Sequence, residues 1–86
     1  MNEKPYQPIT CAAYDLYEIA IMRHQNLTLH YESKTGEHQQ SIVKPLNVKI
    51  NNAAEYLVCH PVFNGTLDTE QIIEIRLDNI FQADIT

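Results

Sequence analysis

The fold of this chain is decided within residues 11–33, CAAYDLYEIAIMRHQNLTLHYES. Thr10 precedes this stretch as an N-cap, and the residues up to His24 are rich in helix formers and contain neither Gly nor Pro. Apolar side chains recur at helical spacing from Tyr14 to His24, which predicts a helix with one continuous apolar face. From Leu27 the period changes to two, because apolar and polar residues alternate, and this predicts a β-strand.

The remainder of the chain predicts further short strands separated by turns. Residues 34–37, KTGE, are typical of a hairpin turn in which Gly36 supplies the positive φ angle. Pro45 cannot donate to a sheet ladder, so it marks a bulge, an edge or the end of the second strand. We expect later strands at residues 38–44, 55–60, 72–77 and 81–85, extended structure again at residues 46–50, and a loop at residues 61–69.

One helix followed by about five short antiparallel strands predicts a mainly β domain of the α+β class, either a small barrel or a strongly bent sheet. With 86 residues the chain can bury one modest core, so its interior must be filled by side chains and leave no ligand cavity. We therefore interpret residues 1–86 as a single domain. Within it, residues 1–9 are expected to form an extended arm because of Pro5 and Pro8.

The expected compartment is the cytoplasm. No apolar run is long enough to cross a membrane, and the first ten residues, MNEKPYQPIT, lack the apolar core of a signal peptide. Cys11 and Cys59 are the two cysteines, too few for the disulfide framework of a small secreted domain. We expect both to be reduced, partly buried thiols.

The charge balance argues against direct binding of nucleic acid. The chain has six basic and eleven acidic residues, a formal net charge of −5. Proteins that bind nucleic acids draw much of their affinity from clustered Lys and Arg, whereas the basic residues here are scattered singly along the chain. An acidic surface instead suits a basic protein partner, because complementary charge speeds encounter and sets orientation.

The sequence contains no pattern that indicates catalysis or metal binding. It lacks a nucleophile elbow, a zinc-protease helix, a phosphate-binding loop and a dinucleotide fingerprint. The histidines do not fall at the spacing of metal ligands. We therefore expect no enzyme activity, no cofactor and no metal. The histidines concerned are His24, His30, His38 and His60.

Three segments, taken in order and spacing, resemble the Rof (YaeO) family of bacterial Rho-binding antiterminators. They are residues 6–18, YQPITCAAYDLYE, residues 55–58, EYLV, and residues 74–80, EIRLDNI. The resemblance implies an N-terminal helix that caps a five-stranded, strongly bent antiparallel Sm-like small barrel. It also implies a non-enzymatic inhibitor of the transcription termination factor Rho, a monomer when free, that competes with RNA for the RNA-loading domain.

The same resemblance implies which residues contact Rho. The pattern Tyr-Asp-x-x-Glu is matched within the helix, and a glutamate opens the EYLV strand. Two more residues, in or near the turn before that strand, align across a one-residue gap. The Rho-binding residues implied are Tyr14, Asp15, Glu18, Glu55, Asn52 and Lys49. Without the resemblance, the acidic residues of the helix are interpreted as surface residues favoured by the helix dipole.

Two other functions stay open at this point. The first is an Sm-like module that binds RNA as a ring, although the net charge of −5 disfavours it. The second is a small adaptor domain for another protein partner. This chain also departs from the Rof pattern at Ala12 and Ala13, where acidic residues are expected, so the contact helix would carry less negative charge.

Overall fold

The computed structural model describes residues 5–86 and confirms the predicted helix. Helix α1 spans Cys11–Met22. The Thr10 hydroxyl oxygen accepts a hydrogen bond from the Ala13 backbone N–H at 3.2 Å, so Thr10 is the N-cap as expected. His24 was expected to extend the apolar face, but it lies beyond the helix end, with φ of 54°, and its side chain is exposed.

Within residues 5–86, six strands follow α1, one more than the sequence predicts. A 3₁₀ turn at Leu77–Asn79 connects the last two of them. The strands are β1 (Leu27–Glu32), β2 (His38–Asn51), β3 (Ala54–Phe63), β4 (Thr66–Leu67), β5 (Ile73–Arg76) and β6 (Ile80–Ile85).

The structure decides between the alternatives at Pro45 and corrects one predicted boundary. Strand β2 continues through Pro45 as one 14-residue strand, with a register shift between Pro45 and Asn47 that accommodates the missing N–H. The loop expected at residues 61–69 is shorter than predicted, because residues 61–63 extend β3 and Phe63 pairs with Thr66. The bulge at Pro45 is one of the alternatives left open by the sequence, whereas at residues 61–63 pairing with β2 and β4 continues the strand into the expected loop.

The strands form a single antiparallel sheet in the order β4-β3-β2-β1-β6, and β5 also pairs with β3. This confirms a mainly β domain with a helix in front. In the described part of the chain the sheet is not closed, because β4 and β6 at its ends are not paired with each other. The barrel expected from the sequence is therefore not confirmed.

The core lies between α1 and the face of the sheet that it covers. Leu27, Leu29, Val43 and Leu57 are fully buried and come from three neighbouring strands. The helix contributes two buried residues, at the spacing expected for one face. The complete cluster is Tyr17, Ala20, Leu27, Leu29, Val43, Leu57, Cys59, Ile75 and Leu77.

The described part of the N-terminal arm packs against this core. Tyr6 and Ile9 are partly buried against the core cluster. The first four residues of the predicted arm lie outside the described residues. The two cysteines are free, as expected, but Cys11 is exposed, whereas Cys59 is buried and burial raises the pKa of its thiol to about 12. Among the described residues, no helix is long and apolar enough to span a membrane.

Candidate functional site

The structure brings together two tyrosines and two glutamates where the arm, α1 and β3 meet. The Tyr6 hydroxyl donates a hydrogen bond to Glu55 Oε1 at 3.3 Å. Burial, followed by the charge of Glu55, raises the pKa of Tyr6 to about 12. Burial also raises the pKa of Tyr14, and the nearby charges of Glu55 and Glu18 add to that effect. We call Tyr6, Tyr14, Glu18 and Glu55 the tyrosine–glutamate cluster.

The other three residues predicted to contact a partner lie outside this cluster. Asp15 is exposed on α1, and Asn52 occupies the tight β2–β3 turn with φ of 51°. Lys49 pairs across the sheet with Tyr56, one position from Glu55, so Lys49 and Glu55 project from opposite faces of the sheet. Whether any of the six binds a partner stays a prediction.

Arg76 and Asp78 form a buried ion pair that the cluster covers. The Arg76 guanidinium donates from Nε and Nη2 to the two Asp78 carboxylate oxygens, each at 2.9 Å. Their side chains are 8% and 4% exposed. Asp78 also accepts a hydrogen bond from the Gln7 backbone N–H, and the Tyr6 ring centroid lies 5.6 Å from the guanidinium carbon.

A groove of about 680 Å³ lies between the β1–β2 turn and β5. The core is filled by side chains, but an open space remains at the surface where the turn faces a strand with which it does not pair. We call this the hairpin groove. Besides the turn itself, its walls include Tyr31, Glu32, Tyr56, Ile73, Ile75 and Asn79.

The hairpin groove offers unused hydrogen-bond acceptors. Glu32 is half-buried, and among residues 5–86 no hydrogen bond or ion pair engages its carboxylate. Asn79 Oδ1 is buried, and it has no hydrogen-bond partner in the described part of the chain. Tyr31, by contrast, is held in place because its hydroxyl donates to Gln39 Oε1 at 3.2 Å.

Sequence reasoning missed this groove because its walls come from distant segments. Asn79 stands inside the EIRLDNI segment, and Glu32 lies in the alternating stretch that begins at Leu27. No local pattern links residues 31–36 with residues 73–79. Strand pairing brings them together, because β5 pairs with β3 and Ile80, directly after Asn79, pairs with Tyr31.

The histidines do not gather into a metal site. His60 Nδ1 lies 2.7 Å from the Gln71 carbonyl oxygen, and the His38 ring packs on Phe81 with ring centroids 4.9 Å apart. Within the described residues, no group of three or more His, Cys, Asp or Glu side chains could hold a metal ion.

Comparison with known proteins assigns the family. A sequence model of the WYL domain matches residues 13–85. Among solved structures, proteasome accessory factor B/C (PafBC) of Arthrobacter aurescens is similar, with a TM-score of 0.69 and 18% sequence identity. The match covers 93% of this chain but 12% of that chain, so it shows a shared fold for one small part of a longer protein. No curated protein matches the chain.

The assignment to the Rof family is wrong, and so is the description as a YaeO-type antiterminator, because the family match and the similar structure both point elsewhere. The three segments that carried the resemblance lie on α1, at the start of β3, and across β5 with the 3₁₀ turn. Their apolar alternation follows from burial of Leu57, Ile75 and Leu77, which any small bent sheet requires, so it does not discriminate between families. The chain belongs to the WYL domain family.

Proposed function

We propose that this WYL domain is a non-enzymatic regulatory module that binds a small molecule in the hairpin groove. WYL domains typically occur in regulators that bind nucleic acids or ligands. The observation that carries the proposal is the groove itself. Its volume, about 680 Å³, lies in the size range of small-molecule sites. Within the described residues, the Glu32 carboxylate and Asn79 Oδ1 in its lining are unpaired. Buried polar groups usually have partners, so these acceptors favour an occupant that donates hydrogen bonds.

Electrostatics favours a small ligand over nucleic acid. The chain carries a net charge of −5. Two of its cations are already engaged, because Lys49 Nζ lies 2.9 Å from Glu74 Oε2 and Arg76 is bound to Asp78. The remaining described cations, Arg23, Lys34 and Lys44, lie on different elements. Such a surface lacks the clustered positive charge that phosphate binding requires.

The proposal also includes a bent, Sm-like shape of the sheet, a cytoplasmic location and a monomeric state. The 3₁₀ turn joins β5 directly to β6, and β6 pairs with β1, which supports a strongly bent, Sm-like arrangement of the sheet. The two free cysteines suit the reducing cytoplasm. Catalysis by Cys59 is disfavoured because its thiol is buried and its raised pKa, about 12, keeps it protonated. We propose that the free protein is a monomer.

The proposal is tested by screening a fragment library with amide chemical-shift mapping by NMR. We expect shifts that concentrate at the β1–β2 turn and at β5. Gln39 lies opposite Tyr31 on the groove side of β2, so Gln39→Trp should fill the groove and abolish the shifts. Its neighbour Gln40 projects from the other face, and Gln40→Trp should leave binding intact. Shifts that survive Gln39→Trp, or that lie elsewhere, would show that the groove is not the site.

A second candidate function rests on the tyrosine–glutamate cluster. Glu18 and Glu55 lie close to one tyrosine hydroxyl, and Asp15 adds exposed charge on the same helix. This acidic surface supports docking to a basic protein, of which Rho is the one inferred from the sequence.

The test is displacement of cytosine-rich RNA from Rho at two salt concentrations. Displacement that weakens with salt and is lost in the double variant Asp15→Lys, Glu18→Lys would support an acidic competitor. No displacement, together with no binding to Rho, would eliminate this candidate.

A further inference from the structure

We infer that the hairpin groove selects an organic cation, a ligand that bears a protonated amine or guanidinium on an apolar stem. The inference rests on the proposed binding function and adds the chemical class of the ligand. Two observations carry it. The Glu32 carboxylate and Asn79 Oδ1 have no partner among the described residues. Of the two cations among the described residues of the lining, Arg76 is bound to Asp78 and Lys34 is exposed.

The acceptors are Glu32 and Asn79. Glu32 is half-buried, and its Oε1 lies 4.0 Å from the position that a Cβ at Gly36 would take, so the carboxylate faces the hairpin turn that forms one wall. Asn79 Oδ1 is buried in the same lining, and Asn79 directly precedes Ile80, which pairs with Tyr31, so it lies beside the Glu32 end of β1. A carboxylate is an acceptor with full negative charge, so a positively charged donor gives it the strongest hydrogen bonds.

The positive residues of the groove do not favour an anion. Arg76 contributes to the lining, but Asp78 binds its guanidinium through two hydrogen bonds. Glu74 and Lys49 likewise neutralise each other at 2.9 Å. Lys34 also lines the groove, from the turn, but its side chain is exposed. An entering phosphate or carboxylate would therefore meet the Glu32 carboxylate without a preorganised cation to offset it.

The remaining walls suit the stem of such a ligand. Ile73 and Ile75 supply apolar surface, and Tyr31 and Tyr56 supply aromatic surface. Aromatic faces attract cations, and the effect is larger for a partly desolvated group. The net charge of the chain, −5, also raises the local concentration of cations near its surface.

The experiment compares three probes that differ in charge at one end of the same stem: phenethylamine, phenethyl alcohol and hydrocinnamate. Each is titrated into the full chain while amide chemical shifts are followed by NMR. We expect phenethylamine to shift the β1–β2 turn and β5, the alcohol to bind more weakly, and hydrocinnamate to bind weakest. Higher salt should weaken the amine most, because its attraction to Glu32 is screened.

Glu32→Gln keeps the shape of the side chain and removes its charge, so it should weaken phenethylamine about tenfold and leave the alcohol unchanged. The matched control is Glu70→Gln, which makes the same change of net charge at an exposed residue outside the groove walls. If both variants weaken the amine equally, the effect is one of net charge and the inference is wrong.

Failure of the inference can be told apart from failure of the proposed function. If hydrocinnamate or the alcohol binds in the groove more tightly than the amine, the groove is a site but the ligand class is wrong. If none of the three produces shifts at the groove, the inference is overturned. The proposed function is then overturned as well only if the fragment screen also leaves the groove unshifted.

Discussion

At the scale of single residues, two ion pairs of equal length differ in their surroundings. The Arg76–Asp78 and Lys49–Glu74 pairs both have nitrogen–oxygen distances of 2.9 Å. The first pair is 8% and 4% exposed, the second 44% and 38%. Removing one half of a buried pair disturbs a desolvated charge, whereas an exposed pair is screened by water and salt. Burial, not distance, therefore decides the effect of each pair on stability.

We predict that Asp78→Ala lowers the free energy of unfolding by about 3 kcal/mol, because the buried guanidinium loses a carboxylate. The same change also removes the acceptor for the Gln7 backbone N–H and so loosens the arm. Glu74→Ala is the matched control and should cost less than about 1 kcal/mol. Urea unfolding monitored by circular dichroism measures both. Equal losses in the two variants would contradict the role given to burial.

Alkaline pH should destabilise the protein. The pKa is raised to about 12 for Tyr6 and Tyr17, from 10.0, and for Cys59, from 9.0. Because the unfolded chain releases these protons first, it binds fewer protons than the folded chain above pH 9. The stabilisation is therefore complete at neutral pH and is lost between about pH 9 and pH 12.

The contribution of Tyr17 to this loss can be isolated. Burial alone raises the pKa of Tyr17, and the residue is 3% exposed. Tyr17→Phe retains the ring and removes the ionisable group, so its free energy of unfolding should fall less steeply above pH 10 than that of the wild type. Chemical unfolding at a series of pH values measures both slopes. Identical slopes would exclude Tyr17 as a source of the alkaline transition.

At the scale of elements, the β1–β2 and β2–β3 hairpin turns both need residues with positive φ angles but use different residue types. The β1–β2 turn uses Gly36 at φ of 86°, which glycine adopts without strain. The β2–β3 turn instead uses Asn52 at φ of 51° and Ala53 at φ of 62°. Asparagine tolerates this region, but alanine pays a steric penalty there. Ala53 is therefore a strained point in the longest hairpin of the sheet.

We predict that Ala53→Gly stabilises the protein by roughly 0.5–1 kcal/mol. Relief of left-handed strain contributes about 1–2 kcal/mol, and the greater freedom of glycine in the unfolded chain offsets about 0.4–1 kcal/mol of it. The matched control is Ala12→Gly, which makes the same change at an exposed position of α1 and should destabilise by about 1 kcal/mol. Thermal unfolding should give shifts of opposite sign. A lower midpoint for Ala53→Gly would contradict the strain argument.

Local sequence signals predict some features of these elements and miss others. The N-cap at Thr10, the turn at Gly36 and the period of two after Leu27 all act over a few residues, and the structure confirms each of them. The continuation of β2 past Pro45 depends on a bulge opposite Cys59. The extension of β3 beyond residue 60 depends on pairing with β2 and β4. Pro45 indicates a bulge as one alternative, but whether each strand continues is set by pairing with its neighbours.

At the scale of the whole molecule, the charge distribution predicts how the domain treats nucleic acids. With a net charge of −5 and two of its cations held in ion pairs, the chain should repel phosphate backbones. We predict that labelled single-stranded DNA or RNA does not saturate below about 0.1 mM protein at physiological salt, the weak end of non-specific binding. Fluorescence anisotropy measures this. Saturable, salt-sensitive binding would contradict this prediction and support the alternative of an RNA-binding module.

Taken by itself, the sequence determined a small, acidic, mainly β domain with one leading helix, because composition, period and capping act locally and survive in any context. It also predicted Glu18 and Glu55 as members of one surface, through a family resemblance that proved wrong. Only the tertiary structure decided that the sheet stays open, that Arg76 and Asp78 are buried beneath the arm, and that a groove lies beside β5. Each of these features joins residues that are far apart in the chain, and their contact depends on how the strands pair rather than on neighbouring residues.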